Sequence, residues 1–513
     1  MLRSLCLAQS LPPTMLLSAI IVGCIICTSS AYSVFQCYGA KKLPPGPTRN
    51  LAGKLPAFQP WRLMTEWNRK YGPVILFRLG SQRVVVIGTM KAARDLLEKR
   101  GHIYSGRPRA IIGHEIFSPL RGIGMSEGPQ FRKWKTFLQA GLAPSVIPNY
   151  QALQSIECFL LLNELLEDQD PFQFRARLRR FSTSVIFCLT YGRRIKSLQE
   201  DVVLRHNKSG MYFASVPGKF LVDSRFLQWF RWEPERHRAM NDEFYLALMN
   251  EVKDTMKDGT TAHKCMATYG LEKQEEFGLT DLEAAYTLSA PWSAGVGTTA
   301  TTIEVFLLAM QLYPDVMRKA QREIDNIVGH DRMPGFQDAH SLPYVQALIK
   351  ETTRWRCLAP LGFTHATTAE DEYEGMYIPK GSTVYGNIFS MTRDENTFPE
   401  PDKFRPERFL DTNDPRLIHF TTPFGFGRRL CPGMQFALQV DYIAIVRILW
   451  AFNISPSSNP NGTPKLPSPD NFLGGLVISP APFECLFIPR STSATELILR
   501  EAEQAEIDAK QWP

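Results

Sequence analysis

The chain has 513 residues and a net charge of +7, with 44% hydrophobic and 21% charged residues. That balance excludes global disorder, and the mild charge excess with no long basic run argues against nucleic acid as a partner. Ten cysteines are scattered, and only Cys24 and Cys27 have C-x-x-C spacing, inside an apolar run. Neither a disulfide framework nor a zinc site is expected, and a reducing compartment fits better.

Residues 1–40 read as a membrane anchor. No charged residue occurs from Ser4 to Ala40, and residues 15–35 are the most apolar part. As a helix they reach about one bilayer core. The rival reading is a cleaved signal peptide with its cut near Ser29 to Ala31. Lys41, Lys42 and Arg49 follow the apolar run and outnumber Arg3, which keeps the following body in the cytosol. Residues 41–50 form a basic hinge in which Pro44, Pro45 and Pro47 predict a stiff, non-helical spacer between membrane and body.

Residues 51–513 read as one large domain, mainly α with small β-sheets. A hairpin is predicted from Val74 to Gly88. From there to about Lys350 the pattern is helical. The longest helix is predicted from Thr280 to Tyr313, starting at Thr280-Asp281. Its middle holds Gly295 and Gly297, each costing about 1 kcal/mol in a helix interior, so close approach of a ligand is expected there. Strands return from Tyr377, and a last long helix is expected from Met434 to Phe452. No internal repeat or low-complexity linker appears.

Just before that last helix stands "TPFGFGRRLCPGMQFALQ", Thr422 to Gln439. Pro432 suits a first helical position, which puts Cys431 near the positive end of the helix and favours its thiolate. A thiolate beside Arg429 on a glycine-rich loop can bind a metal, attack an electrophile or stay inert. Nucleophilic catalysis would want a histidine partner, and none stands nearby.

The pattern Phe424-Gly425-x-Gly427-x-Arg429-x-Cys431-x-Gly433 resembles the haem-binding signature of the cytochrome P-450 monooxygenases, and every fixed position matches. The resemblance implies that Cys431 is the metal ligand, the axial thiolate of haem b, whose electron push helps split dioxygen. It implies that Arg429 holds a haem propionate, that Phe424 packs near the sulfur, and that Gly425 shapes the cofactor loop. "KETTRW" and "RPERF" supply Glu351, Arg354 and Arg408, which match the family's structural triad, two guanidiniums on one carboxylate. His365 falls at a frequent propionate contact. The resemblance runs from the anchor to Ser491 and is similar to fungal, basidiomycete-like microsomal members. It implies a cytochrome P-450 fold behind a transmembrane helix, single-pass in the endoplasmic reticulum membrane with the catalytic domain cytosolic.

Two departures stand out. The central helix carries Thr298, expected to orient dioxygen and a water, but Gly297 replaces the usual acidic neighbour. In "QFRKWKTF", Phe131 and Lys135 take positions where the family places a tryptophan and an arginine or histidine on the propionates; Lys135 keeps the charge, and Trp134 is offset and expected to pack. The resemblance implies a substrate pocket with Ile111, Val296, Leu361 and Leu476. The apolar segment 220–230 looks like a membrane-facing access segment. The expected partners are an NADPH-cytochrome P-450 reductase, dioxygen, membrane lipid and an apolar small molecule, in fungal secondary metabolism, for example of a terpenoid. The alternatives are a haem-thiolate isomerase or dehydratase needing no external electrons, and a non-catalytic haem-binding protein.

Overall fold

The computed structural model describes residues 41–47, 55–56, 58–168, 170–215, 231–259, 264–410 and 412–512. The expected anchor, residues 48–50 of the hinge and the access segment 220–230 lie outside the described residues.

A 32-residue helix, Asp281–Leu312, runs through the middle of the core. Its start is the expected one: the Thr280 hydroxyl accepts from the Glu283 amide and the Glu283 carboxylate accepts from the Thr280 amide, a reciprocal cap that satisfies two otherwise unpaired donors. The helix passes unbroken through Pro291, which lacks an amide proton and leaves the carbonyl four residues back without its helical bond. Packing outweighs this local cost. Helices Phe174–Tyr191, Trp232–Lys257 and Met434–Ala451 press on it, and residues 284–289 and 299–311 are buried. Asp281–Leu312 and Met434–Ala451 are both apolar and long enough to cross a membrane, but both lie mostly buried inside the protein.

The largest sheet has strands β1 (Val74–Leu79), β2 (Gln82–Ile87), β3 (His365–Ala366) and β4 (Thr383–Gly386), in the order β1-β2-β4-β3. β1 and β2 form the expected antiparallel hairpin, β2 and β4 run parallel, and β3 pairs antiparallel with β4 so that His365 lies opposite Val384. This register plants His365 at the sheet's edge beside Tyr104. Three two-stranded ladders complete the β-structure among the described residues.

The described part of the basic hinge, residues 41–47, is non-helical and hydrogen-bonds to the body. The Pro45 carbonyl accepts from the Leu76 amide at 3.0 Å and the Lys42 carbonyl from the Tyr377 amide at 2.7 Å. Lys41 lies over the Tyr377 ring, 4.2 Å from its centroid. Proline carries no donor but keeps its carbonyl, so an extended, proline-stiffened segment still docks on a sheet edge through its acceptors. Residues 41–45 are therefore docked on the body.

Beyond the last ladder, helix Thr492–Asp508 packs along Gln151–Glu167. Ala505, Ala509 and Trp512 close a satellite core with Leu153, Ile156 and Leu160.

Candidate functional site

The cysteine loop is closed on itself. The Cys431 amide donates to the Phe424 carbonyl at 2.9 Å and the Arg429 amide to the Phe426 carbonyl at 3.1 Å. Gly425 has φ +87° and Gly427 φ +53°, conformations that glycine adopts without steric cost. At Gly427 a side chain would also collide with the Leu97 carbonyl oxygen, so two different constraints fix the two glycines. Six cysteines fall among the described residues: Cys158, Cys188, Cys265, Cys357 and Cys485 are buried, and Cys431 alone is half-buried. The half-buried Phe424 stands at the other end of the closed loop.

Two expectations about this loop need correction. The following helix is Met434–Ala451 with Gly433 at its N-cap, so Pro432 lies in the turn before the helix rather than at its first position. Cys431 is then too far back for the dipole to dominate. Desolvation pushes its thiol above the usual range, and only the Gly433 amide pulls the other way.

On the loop Arg428 pairs with Glu127, whereas Arg429 and nearby Arg107 find backbone carbonyls. Arg429 donates from Nε and Nη2 to the Ser105 carbonyl at 2.9 and 2.8 Å, and from Nη2 to the Met125 carbonyl at 2.6 Å. Its guanidinium lies 3.9 Å from the centroid of Phe131. Arg107 donates to the carbonyls of Ile123 and Thr364 at 2.9 and 2.5 Å. Neither guanidinium pairs with a carboxylate at ion-pair distance among the described residues. Burial, with Arg429 as neighbour, lowers Arg107 to about 9. Burial lowers Arg429 to about 10. His365 hydrogen-bonds the Tyr104 carbonyl through Nδ1 at 2.8 Å. Burial first, then Arg107, hold it near 3, so it is neutral. Burial is the largest cause of all three depressions; neighbouring guanidiniums add to it at Arg107 and His365, and Glu127 opposes it at Arg429.

Arg107 was not among the sequence-derived candidates. Its carbonyl partners Phe363 and Thr364 lie more than 250 positions away in sequence, and "SGRPR" alone carries no distinctive spacing. Lys135 stands on the helix Pro129–Leu142. Its Nζ donates to the Arg428 carbonyl at 3.3 Å, so it braces the cysteine loop from outside. Trp134 stacks on Phe131, with ring centroids 5.6 Å apart, as expected for a packing residue.

On the central helix the burial pattern breaks at residues 293–298. Ser293, Ala294 and Gly297 are exposed and Gly295, Val296 and Thr298 half-buried, between the buried stretches 284–289 and 299–311. A gap of this kind in a core helix marks a cavity. The two glycines again differ. A Cβ at Gly295 would lie 2.7 Å from Ile186 Cδ1, whereas one at Gly297 meets no protein atom within 4 Å. Gly295 serves helix packing, and Gly297 leaves open space. The Thr298 hydroxyl donates to the Ala294 carbonyl at 2.8 Å. Of the expected pocket residues, Ile111 opens a wide helical turn, Ile111–Phe117, that packs on Trp232–Lys257. Val296 and Leu361 are half-buried against the core, and Leu476 is exposed.

The carboxylate of Glu351 lies at the centre of a buried network. It accepts from Arg354 Nε and Nη2 at 2.6 and 2.8 Å, from Arg408 Nε at 3.2 Å and from the Arg405 amide at 2.7 Å. Arg354 also donates to the Thr392 and Pro401 carbonyls, both at 2.9 Å. Glu351 and Arg354 are 0% exposed, so the pair ties helix Pro343–Trp355 to the proline-rich segment before the cysteine loop.

The family model for cytochrome P-450 matches residues 44–487. The chain belongs to the cytochrome P-450 family. It is 37% identical over 502 residues to cytochrome P-450 monooxygenase 253 of Postia placenta, with 93% of each chain covered. It is 36% identical to cytochrome P-450 monooxygenase aneD of Aspergillus aculeatus, covering 91% of this chain and 92% of that one. Among solved structures, a zebra fish cytochrome P-450 with progesterone superposes with a TM-score of 0.71 at 22% identity, covering 84% of this chain and all of that one, which speaks to the fold. This cytochrome P-450 is a monooxygenase with haem as its cofactor, using dioxygen, a redox partner and a small-molecule substrate.

The residues present fit that group. One half-buried thiol offers a single axial ligand, and two half-buried guanidiniums with no carboxylate at ion-pair distance among the described residues suit the two propionates of one haem.

Proposed function

We propose that the chain is a membrane-anchored haem-thiolate monooxygenase that inserts oxygen into an apolar small molecule of fungal secondary metabolism. The reading includes an anchor at residues 15–35, a cytosolic body at the endoplasmic reticulum, and electrons from an NADPH-cytochrome P-450 reductase. The observation that carries it is Cys431: of six described cysteines, it alone is both open to a ligand and held on a loop closed by the Phe424 carbonyl. When bound, haem supplies the dioxygen chemistry. The protein's part is positioning. Arg107 and Arg429 hold the propionates, and Lys135 braces the loop from its outer side. Glu351, Arg354 and Arg408 fix the segment leading to the loop. Thr298 keeps lone pairs free to accept a hydrogen bond, because its proton is spent on the Ala294 carbonyl. The space at Gly297 admits a water that a carboxylate would otherwise displace. Ile111, Val296, Leu361 and Leu476 supply apolar wall.

Cys431→Ser tests the reading. The variant is expected to lose the long-wavelength band of the ferrous carbon-monoxide complex, which needs thiolate ligation. A retained band removes the ligand assignment. A second reading, isomerisation or dehydration without external electrons, is favoured by one observation, the missing acid at Gly297. Product formation without NADPH and dioxygen would establish it.

A further inference from the structure

The cavity side of the central helix carries a cation that the haem site does not use. Arg121 stands in the loop between Phe117 and the helix Pro129–Leu142. Its Nη1 donates to Ser293 Oγ and its Nη2 to the Tyr245 hydroxyl, both at 2.8 Å. Its guanidinium sits 5.6 Å from the Tyr245 ring centroid. Nε is buried and has no hydrogen-bond partner. A guanidinium has five N–H donors; two are spent, and three remain. No carboxylate among the described residues pairs with it. Asp242, on the same helix as Tyr245, accepts from the Tyr286 hydroxyl at 2.6 Å and pairs with Arg238 at 3.7 Å instead.

The location ties this cation to the reaction site. Ser293 is exposed within the gap at 293–298 and lies four residues before Gly297, so the two share one helix face, neighbours about 6 Å apart. His206 is stacked on Trp292 at 3.9 Å between ring centroids. Burial and the Arg121 charge hold it near 3, so His206 is neutral and Arg121 is the charged group of this wall. Leaving a partly buried cation without a counter-ion is costly.

We propose that Arg121 anchors a carboxylate on the substrate, which is therefore an apolar acid rather than a neutral hydrocarbon. Ser293 and Tyr245 hold the guanidinium so that its unspent donors meet the carboxylate bidentately. The carbon offered for oxidation then lies along the central helix from Ser293 toward Thr298. The proposal rests on the monooxygenase reading above, and the two fail differently.

The test uses the full-length, haem-loaded protein. Dodecanoic, hexadecanoic and abietic acids are titrated against their methyl esters, reading the spin-state shift of the haem as substrate displaces water. At least one acid is expected to bind about ten- to a hundredfold more tightly than its ester, the range of a charge-assisted hydrogen-bonded pair. Arg121→Met should abolish that difference while the ester's affinity and the carbon-monoxide band stay, and Arg121→Lys should keep part of it. A purely structural strut would change acid and ester affinities alike. Equal binding of acids and esters by the wild type, no shift with any acid, or a preference that survives Arg121→Met each overturns the anchor. Absence of the carbon-monoxide band in the wild type overturns the monooxygenase reading instead.

Discussion

At Gly297, beside Thr298, the chain departs from the expected pattern, and the local geometry says what the departure changes. The Thr298 hydroxyl proton is committed to the Ala294 carbonyl, so Thr298 meets an incoming water as an acceptor. At Gly297 an added methyl would meet no protein atom within 4 Å, so the glycine leaves open volume. A water there, bonded to Thr298 Oγ1, is the simplest carrier of protons. Thr298→Val, which keeps shape and removes the acceptor, is expected to retain haem and the carbon-monoxide band. Product per NADPH should fall by up to about 10²-fold, the low end of what a positioned acid–base group contributes, with peroxide released in its place. Gly297→Asp fits the open space and should raise product per NADPH. Unchanged coupling in Thr298→Val ends the threonine-and-water account. The same scale shows what the sequence hides. Cys431 and Arg429 are legible because their spacing on one short loop is distinctive. Arg107 and Arg121 are not, since each gains its meaning from partners such as Thr364 and Ser293 that lie far along the chain.

Elements are legible where local chemistry and tertiary packing agree. The reciprocal Thr280–Glu283 cap and the apolar run from Val305 to Met310 place Asp281–Leu312 within a residue or two of its predicted ends. The β1–β2 hairpin follows from two β-branched runs around Gly80-Ser81. The start of Met434–Ala451 is legible too, but the turn that seats Cys431 before it is not, because Pro432 is equally at home in a turn. The Glu351–Arg354 pair is legible as two residues on one helix face, but nothing local says whether such a pair is buried or solvated. Here it is fully buried, and that decides the energetics. Arg354→Ala leaves the Glu351 carboxylate with only Arg408 and the Arg405 amide and strips the Thr392 and Pro401 carbonyls of a donor. Breaking a buried pair of this kind costs about 3–5 kcal/mol. Arg354→Ala should therefore yield little haem-loaded protein, and what folds should melt several degrees lower. Arg354→Lys should rescue poorly, since one ammonium cannot reproduce a bidentate fork that also reaches two carbonyls. A melting temperature within a degree of wild type for Arg354→Ala would show that the network is dispensable.

At the scale of the whole molecule the question is where the body begins. The prolines after the apolar run predict a spacer, and a spacer should be removable. The structure instead pins residues 42–45 to the body: Lys42 caps the Tyr377 amide, Pro45 caps the Leu76 amide, and Pro44 is buried. A side chain at Gly46 would collide with the Leu76 carbonyl, so close docking also dictates that glycine. Two deletions separate the spacer from the docked strand. Removing residues 1–40 takes away only the expected membrane helix, and the product should fold, load haem, show the carbon-monoxide band and bind membranes more weakly. Removing residues 1–47 also uncaps two buried-edge amides, each costing about 1–3 kcal/mol when left without a partner. That longer deletion should lower the melting temperature by several degrees relative to the shorter one and reduce haem occupancy. Thermal melts and pyridine-haemochrome assays on the two proteins, prepared in parallel, read the difference. Equal stability of the two would mean that residues 41–47 contribute nothing to the body. Loss of folding in the shorter deletion would mean that the first 40 residues are part of the fold rather than its tether.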